Sequence, residues 1–152
     1  MITPPISIKG RALRLLSARE HSRAELERRL AQFEEAPGSL TKALDELQAK
    51  GFINEQRVLE SVLHRRSAKL GTTRIRQELQ GKGLAPEAVQ EAVDQLRSTE
   101  VERAREVWRK KFGAPPTDAA ERGKQMRFLA SRGFGGEAIR KVVTGAMDDE
   151  EV

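Results

Sequence analysis

The sequence predicts an all-α protein made of three tandem three-helix repeats, and three observations support this fold class. The chain of 152 residues is dominated by Leu, Ala, Glu, Arg, Lys and Gln, which favour helices, and it lacks β-branched runs typical of strands. Aromatic residues make up only 4%, so the core must consist mostly of Leu, Val, Ile and Ala. The third observation is a set of apolar residues that recurs at a nearly constant spacing.

This spacing is 49 residues and then 50 residues. The first shift takes Leu30, Leu40, Leu44 and Leu47 to Leu79, Val89, Val93 and Leu96, and the second takes Leu79, Val89 and Val93 to Leu129, Ile139 and Val143. The pattern predicts an irregular lead-in at 1–8, repeats at 9–51, 54–97 and 99–147, and an acidic tail at 148–152. Because units this small bury little surface alone, we expect neighbouring repeats to stack into an elongated array, straight or curved.

In the first repeat, a helix is predicted over residues 9–18, with its apolar positions on one side. Ser22 and Glu25 form the pattern of a capping box, which predicts the start of a second helix that ends before Pro37. A third helix is predicted over residues 39–50.

In the second repeat, Asn54 is expected to cap a helix that continues to Gly71. Thr72 or Thr73 is expected to cap the next helix, which ends near Gly81. An acidic helix completes the repeat.

The third repeat is expected to begin with a capping box formed by Thr99 and Glu102. Trp108 follows Val101 and Ala104 on one apolar stripe and is therefore predicted to lie in the core.

No group of residues in the sequence resembles a catalytic, cofactor or metal site. The chain contains no Cys, which excludes disulfides and thiolate chemistry, and its Gly-rich stretches lack a phosphate-loop signature. His21 and His64 are expected to be surface residues. No apolar run approaches the roughly 20 residues that span a bilayer, and the N-terminus lacks a signal peptide pattern. We therefore expect a cytoplasmic, monomeric, non-enzymatic protein without a membrane or small-molecule partner.

Positive charge is concentrated in one part of the chain. Residues 57–84 contain seven Lys and Arg residues against only Glu60 and Glu78, an excess of five that equals the net charge of the whole chain. Such a surface suits a polyanion or an acidic protein groove. Solvation and compensation of the helix dipole would suffice to explain Lys110 and Lys111, but they explain the excess at 57–84 less well. The predicted binding residues are Arg57, Arg65, Arg66, Lys69, Arg74, Arg76, Lys82, Arg109, Lys110, Lys111, Arg127 and Arg132.

Four stretches of the chain resemble the RecX family, bacterial regulators of the RecA recombinase. They are ALRLLSAREHSRAELERRL at 12–30, GFINEQRV at 51–58, GTTRIRQELQGKGL at 71–84 and RFLASRGFGGEAIRKVV at 127–143. Phe52, Asn54 and Val58 replace a Tyr, an Asp and a Phe of the family pattern, and we interpret them as packing and capping substitutions.

The resemblance implies a modulator, mainly an inhibitor, that lies in the groove of the RecA–single-stranded DNA filament. It would limit filament growth, strand exchange, ATP hydrolysis and coprotease activity, and so regulate DNA repair and the SOS response. The implied partners are the RecA filament and single-stranded DNA, with duplex DNA as an alternative ligand. A different hypothesis is a helix-turn-helix-like transcription regulator that binds duplex DNA directly. Against it, no repeat has the mixture of Asn, Gln and Arg that reads base edges.

Overall fold

The computed structural model describes the backbone of residues 5–150 and the side chains of residues 5–145. Within the described backbone there are nine α-helices and no strand, which confirms the all-α class. The helices are α1 Ile8–Ala18, α2 Arg23–Leu30, α3 Ser39–Ala49, α4 Glu55–Arg66, α5 Thr72–Gly81, α6 Pro86–Ser98, α7 Glu100–Lys111, α8 Ala119–Ser131 and α9 Gly136–Glu150. A short 3₁₀ turn, Ala31–Phe33, follows α2.

Two predicted helix starts are confirmed by their hydrogen bonds. The hydroxyl of Ser22 accepts from the amide of Glu25 at 3.1 Å, and the Glu25 carboxylate accepts from the amide of Ser22 at 3.1 Å, completing the capping box. The side-chain oxygen of Asn54 accepts from the amide of Arg57 at 2.9 Å and caps α4.

The predicted extension of α4 to Gly71 is wrong, because the helix ends at Arg66. The guanidinium of Arg103 donates to the carbonyl oxygens of Ser67 at 3.0 Å and Leu70 at 2.7 Å. These carbonyls are therefore turned toward Arg103, and the chain between them forms a turn instead of another helical turn.

The predicted threonine caps are also wrong. Thr72 is the first residue of α5, and the amides at this helix start are satisfied by distant groups: Gly71 donates to the Arg132 carbonyl at 2.7 Å, and Thr72 to the Glu100 carboxylate at 3.2 Å. Thr99 makes no side-chain cap to α7, since its hydroxyl donates to the Leu96 carbonyl at 3.2 Å and so completes the end of α6.

His21 is buried, with 1% of its surface exposed, and not on the surface as predicted. Its Nδ1 lies 3.0 Å from the carbonyl oxygen of Arg19, and its Nε2 lies 3.4 Å from Nη1 of Arg29. Burial lowers the pKa of His21, so the neutral imidazole is the form that the fold accommodates. His64 is exposed, as expected.

The chain forms two compact units. The first consists of Met1–Ser61 with Gly81–Leu84, and the second consists of Val62–Gln80 with Ala85–Val152. In the first unit, α1, α2 and α3 surround a core of small and branched aliphatic residues. This core contains Ala12, Leu26, Leu30, Leu40, Leu44, Leu47 and Ile53.

Within the first unit, the turn at 81–84 packs against the start of α2. The Ser22 hydroxyl donates to the Lys82 carbonyl at 2.6 Å, and the Lys82 ammonium lies 3.2 Å from the Glu25 carboxylate. Arg19 donates to the other Glu25 oxygen at 3.0 Å. Burial disfavours the ionised Glu25, but the hydrogen bonds from Ser22, Arg19 and Lys82 outweigh it and lower the pKa of Glu25 to about 2.

We expect Glu25→Gln to reduce the free energy of unfolding by about 2 kcal/mol at neutral pH, because it removes a buried, charged hydrogen-bond acceptor. Since the pKa of Glu25 lies below its ordinary 4.5, this stabilisation is complete above pH 4.5 and is lost as the pH falls toward 2. Urea unfolding at several pH values should show the two proteins converging in that window. Glu27→Gln removes only an exposed ion pair with Arg23 and should change stability by less than about 0.5 kcal/mol. A constant difference between parent and Glu25→Gln down to the lowest pH would contradict the expectation.

In the second unit, α7, α8 and α9 pack around an aromatic and aliphatic core. Its buried members are Ala104, Trp108, Leu129, Phe134, Ile139, Val142 and Val143. Trp108 lies in this core as predicted, and its indole N–H donates to the Gln125 side-chain oxygen at 2.8 Å. Gln125 in turn donates to the Ala114 carbonyl at 3.1 Å, so the polar atoms that Trp108 brings into the core are satisfied.

The second unit also contains the counterpart of the contact at 81–84. The turn at 132–134 packs against the start of α5, where the Thr73 amide donates to the Gly133 carbonyl at 3.2 Å. Gly133 has a positive φ of 91° and lies against Arg74. The two turns are 50 residues apart in the sequence, and so are the helix starts that they contact at Ser22 and Thr72. The sequence repeat is therefore also a repeat of tertiary contacts.

The predicted acidic tail at 148–152 lies outside the residues whose side chains are described. Among the described residues, none of the helices has the length and apolar character needed to cross a bilayer.

Candidate functional site

The exposed cations of the second unit form the candidate site. Eight of the twelve predicted binding residues have no acidic partner within salt-bridge distance among the described side chains. These eight are Arg65, Lys69, Arg74, Arg76, Lys110, Lys111, Arg127 and Arg132, and all belong to the second unit. All of them are exposed except Arg76, which is half-buried. Their charge is available to an external anion.

The other four predicted residues form ion pairs. Arg66 lies 3.2 Å from Glu78, and Arg109 lies 2.7 Å from Glu106. Arg57 and Lys82 belong to the first unit, where Arg57 pairs with Glu20 at 2.9 Å. The Lys82 side chain is only 13% exposed and serves the contact with Glu25 described above.

Two of the unpaired cations contact the aromatic ring of Phe128. Arg132 lies with its guanidinium carbon 5.0 Å from the centroid of the Phe128 ring, and the Lys111 ammonium lies 5.3 Å from it. The ring is held edge-on by Phe112, with centroids 5.4 Å apart. Because the faces of an aromatic ring attract cations, Phe128 keeps the two charges close together despite their mutual repulsion.

Arg74 joins this cluster from α5. Its Nη1 donates to the carbonyl oxygen of Ser131 at 2.9 Å, at the C-terminal end of α8, where the helix dipole favours positive charge. Arg74, Lys111 and Arg132 are therefore brought together around the last turn of α8, although they are far apart in the sequence. We call these three residues the α8 cation cluster.

Arg65 and Lys69 provide a second group of free charges. Arg65 lies in the last turn of α4, and Lys69 lies in the turn that follows, where its amide donates to the Arg66 carbonyl at 3.0 Å. Both side chains are exposed. Arg103 donates to the carbonyl oxygens of Ser67 and Leu70 in this turn and so fixes the backbone on either side of Lys69.

Arg103 and Glu100 are positioning residues that the sequence interpretation missed. Arg103 donates four hydrogen bonds of 2.7–3.2 Å through its two terminal nitrogens, and Glu100 accepts from the amides of Thr72 and Gly135, both at 3.2 Å. Both are charged residues in a helix rich in charged residues, so nothing in the sequence distinguishes them from solvated surface positions.

The contact between Phe128 and Arg132 could have been predicted from the sequence, because the two residues are one helical turn apart and therefore lie on the same face of the helix.

The described side chains include no cluster of three or more His, Asp or Glu residues that could hold a metal ion. The exposed Arg and Lys side chains can neutralise negative charge and donate hydrogen bonds, which suits phosphate or carboxylate ligands.

The helices and the surface define a class: a small all-α protein of tandem three-helix domains that presents an exposed cationic surface. Family models match the chain in order, with the first RecX three-helix domain at residues 9–52, the second at 54–93 and the third at 98–143. The chain belongs to the RecX family. This confirms the prediction of three tandem three-helix domains, while the repeat boundaries at 51, 97 and 147 stay predictions.

Relatives of similar length agree with this assignment. The chain is 53% identical to the regulatory protein RecX of Leptothrix cholodnii over 140 residues, covering 92% of this chain and 89% of that protein. It is 46% identical to the regulatory protein RecX of Herbaspirillum seropedicae over 151 residues, covering 99% and 98%. The crystal structure of RecX from Lactobacillus salivarius superposes with a TM-score of 0.72 at 19% identity, covering 92% and 94% of the two chains, and shows a shared fold.

Proposed function

We propose that this protein is a non-enzymatic regulator of RecA that binds the RecA–single-stranded DNA filament in its groove. By occupying the groove it limits filament growth, and with it strand exchange, ATP hydrolysis and coprotease activity. It acts in this way on DNA repair and the SOS response. The names of its relatives, which are regulatory proteins, support a role without catalysis.

The observation that carries the proposal is the set of unpaired, exposed cations in the second unit. A solvated surface normally balances its charges with acids one helical turn away, and Arg65 has no acid at that spacing. Neither Lys69 nor any residue of the α8 cation cluster lies within ion-pair distance of an acid among the described side chains, since Glu78, one turn from Arg74, pairs with Arg66. Phosphates of single-stranded DNA and acidic side chains of filament subunits are ligands of the right charge.

To test this, Arg65→Glu and Lys69→Glu are introduced together. Neither side chain makes a hydrogen bond or an ion pair among the described residues, so stability should be unchanged. Each phosphate contact to single-stranded DNA contributes about 0.7 to the slope of log affinity against log salt, so the double variant should lower the slope by about 1.4. It should also lose most of its ability to slow the ATPase of a preformed RecA filament. Binding and ATPase inhibition are measured over a salt titration.

The matched control is Glu91→Lys with Asp94→Lys on the exposed side of α6, which should not weaken binding. If the Arg65/Lys69 variant binds DNA and filament like the parent, the proposed surface is wrong. If it loses only free DNA and still slows the ATPase, the regulatory contact is to RecA subunits. Preference for one duplex sequence over random duplex would instead support a transcription regulator.

A further inference from the structure

The sequence interpretation of Phe52 as a packing residue is wrong, because 46% of this side chain is exposed. It is the one large hydrophobic side chain among the described residues with such exposure. It belongs to the first unit, whereas the unpaired cations described above belong to the second. Its exposure therefore needs its own explanation.

The local backbone does not supply that explanation. Gly51 has a positive φ of 83°, and the Phe52 amide donates to the Leu47 carbonyl at 2.9 Å, which is the hydrogen bond that closes the end of α3. The same arrangement recurs after α8, where the Phe134 amide donates to the Leu129 carbonyl at 3.2 Å. The apolar residue of this motif normally packs back onto its helix, and Phe134 does so with only 4% exposure. Phe52 occupies the same position in the motif but leaves nearly half of its surface exposed.

Phe52 borders an open recess of about 450 Å³ in the first unit. Leu13 and Leu16 of α1 form its apolar lining, and Arg57 forms a polar edge. Arg57 is fixed there, since its Nε donates to Glu20 at 2.9 Å and its Nη2 donates to the Gly51 carbonyl at 2.7 Å. Its Nη1 has no partner among the described residues and can donate to a ligand.

From this arrangement we infer that the Phe52 recess is a stacking site for one unpaired base of single-stranded nucleic acid. An exposed aromatic ring, an apolar lining and a fixed guanidinium edge are the components with which proteins hold an unstacked base. The charges suit a nucleic acid: the one acid that lines the recess, Glu20, is paired with Arg57, and Lys50, which precedes the lining residue Gly51 in the chain, is exposed. This inference rests on the proposed function and adds a contact to bases, whereas the cations of the second unit contact phosphates.

The test compares Phe52→Ala, Phe52→Leu and Phe52→Trp with the parent, on oligothymidylate and on an oligomer of equal length whose residues are abasic. Base stacking is worth about 1–3 kcal/mol, so Phe52→Ala should weaken oligothymidylate binding by about fivefold to 150-fold. Phe52→Leu keeps an apolar side chain without a ring face and should behave like Phe52→Ala. Phe52→Trp should bind like the parent, and oligothymidylate should quench its fluorescence above the background of the buried Trp108. All variants should bind the abasic oligomer alike, and their salt slopes should equal that of the parent.

Several results would overturn the inference. One is a Phe52→Ala protein that binds oligothymidylate as the parent does, and another is an equal loss on the abasic oligomer. Unchanged DNA binding with loss of RecA filament binding would mark the recess as a protein contact. These results can be told apart from a failure of the proposed function. In that case, the Arg65/Lys69 variant keeps the salt slope of the parent and still slows the ATPase of the filament. Thermal unfolding of each variant shows that the fold is intact.

Discussion

Gly71→Ala is expected to destabilise the protein by more than about 3 kcal/mol, the upper end of the usual cost of overpacking. A Cβ at Gly71 would overlap the backbone of Gly133 and Phe134, where the turn at 132–134 meets the start of α5. Backbone atoms cannot rotate away as a flexible side chain can. The Gly71 amide also donates to the Arg132 carbonyl at 2.7 Å, and separating the two segments would break this bond. Urea unfolding, with the linear extrapolation of the free energy, measures the effect.

Gly81→Ala is the matched control, because Gly81 ends the same helix and a methyl group added there would have no neighbouring atom within 4 Å. Alanine is the better helix former, so this change should leave stability unchanged or raise it slightly. If Gly71→Ala unfolds at the same urea concentration as Gly81→Ala, the close approach of the two backbones is not a feature of the protein in solution.

Leu79→Ala is expected to reduce the free energy of unfolding by about 2–5 kcal/mol. Leu79 is 0% exposed, as is its repeat equivalent Leu129, and Leu30 is 2% exposed. Truncating such a side chain loses its transfer free energy and leaves a cavity that surrounding residues fill only in part. Chemical denaturation of the three Leu→Ala variants should give losses of similar size, since the three positions correspond in the repeats.

Gln80→Ala changes the exposed neighbour of Leu79 and should cost less than about 0.5 kcal/mol. A loss below about 1 kcal/mol for Leu79→Ala would mean that the alignment of the repeats, on which the equivalence of Leu30, Leu79 and Leu129 depends, is incorrect.

The sequence was sufficient for features that depend on neighbouring residues. Apolar periodicity located the helices, and the capping box at Ser22 and the Asn54 cap were found because both partners lie within four residues. Errors arose where distant groups replace local ones. The amides at the start of α5 are satisfied by Glu100, Arg132 and Gly133, so no threonine cap is needed there, and Arg103 ends α4 from more than 30 residues away.

The candidate site shows the same difference between features that depend on the local sequence and features that depend on distant contacts. The concentration of basic residues at 57–84 was visible in the sequence, but which of them remain free was not, because ion pairs such as Lys82 with Glu25 join residues 57 positions apart. Likewise, the apolar character of Phe52 predicted burial, whereas its exposure depends on the recess that opens between it and Leu13 and Leu16 of α1, which are distant in the sequence.

The bonds between α5 and the later turn also bear on how the protein folds during synthesis. The ribosome releases residues 71–73 about 60 residues before it releases Gly133. The amides of Gly71 and Thr73 have no protein partner in that interval, and the Thr72 amide has none until Glu100 emerges. The start of α5 therefore stays solvated until most of the chain has emerged, and then forms together with α7 and α8. A chain that stops after the second domain would never form these bonds, so a premature stop there should yield a protease-sensitive fragment and not a smaller working protein.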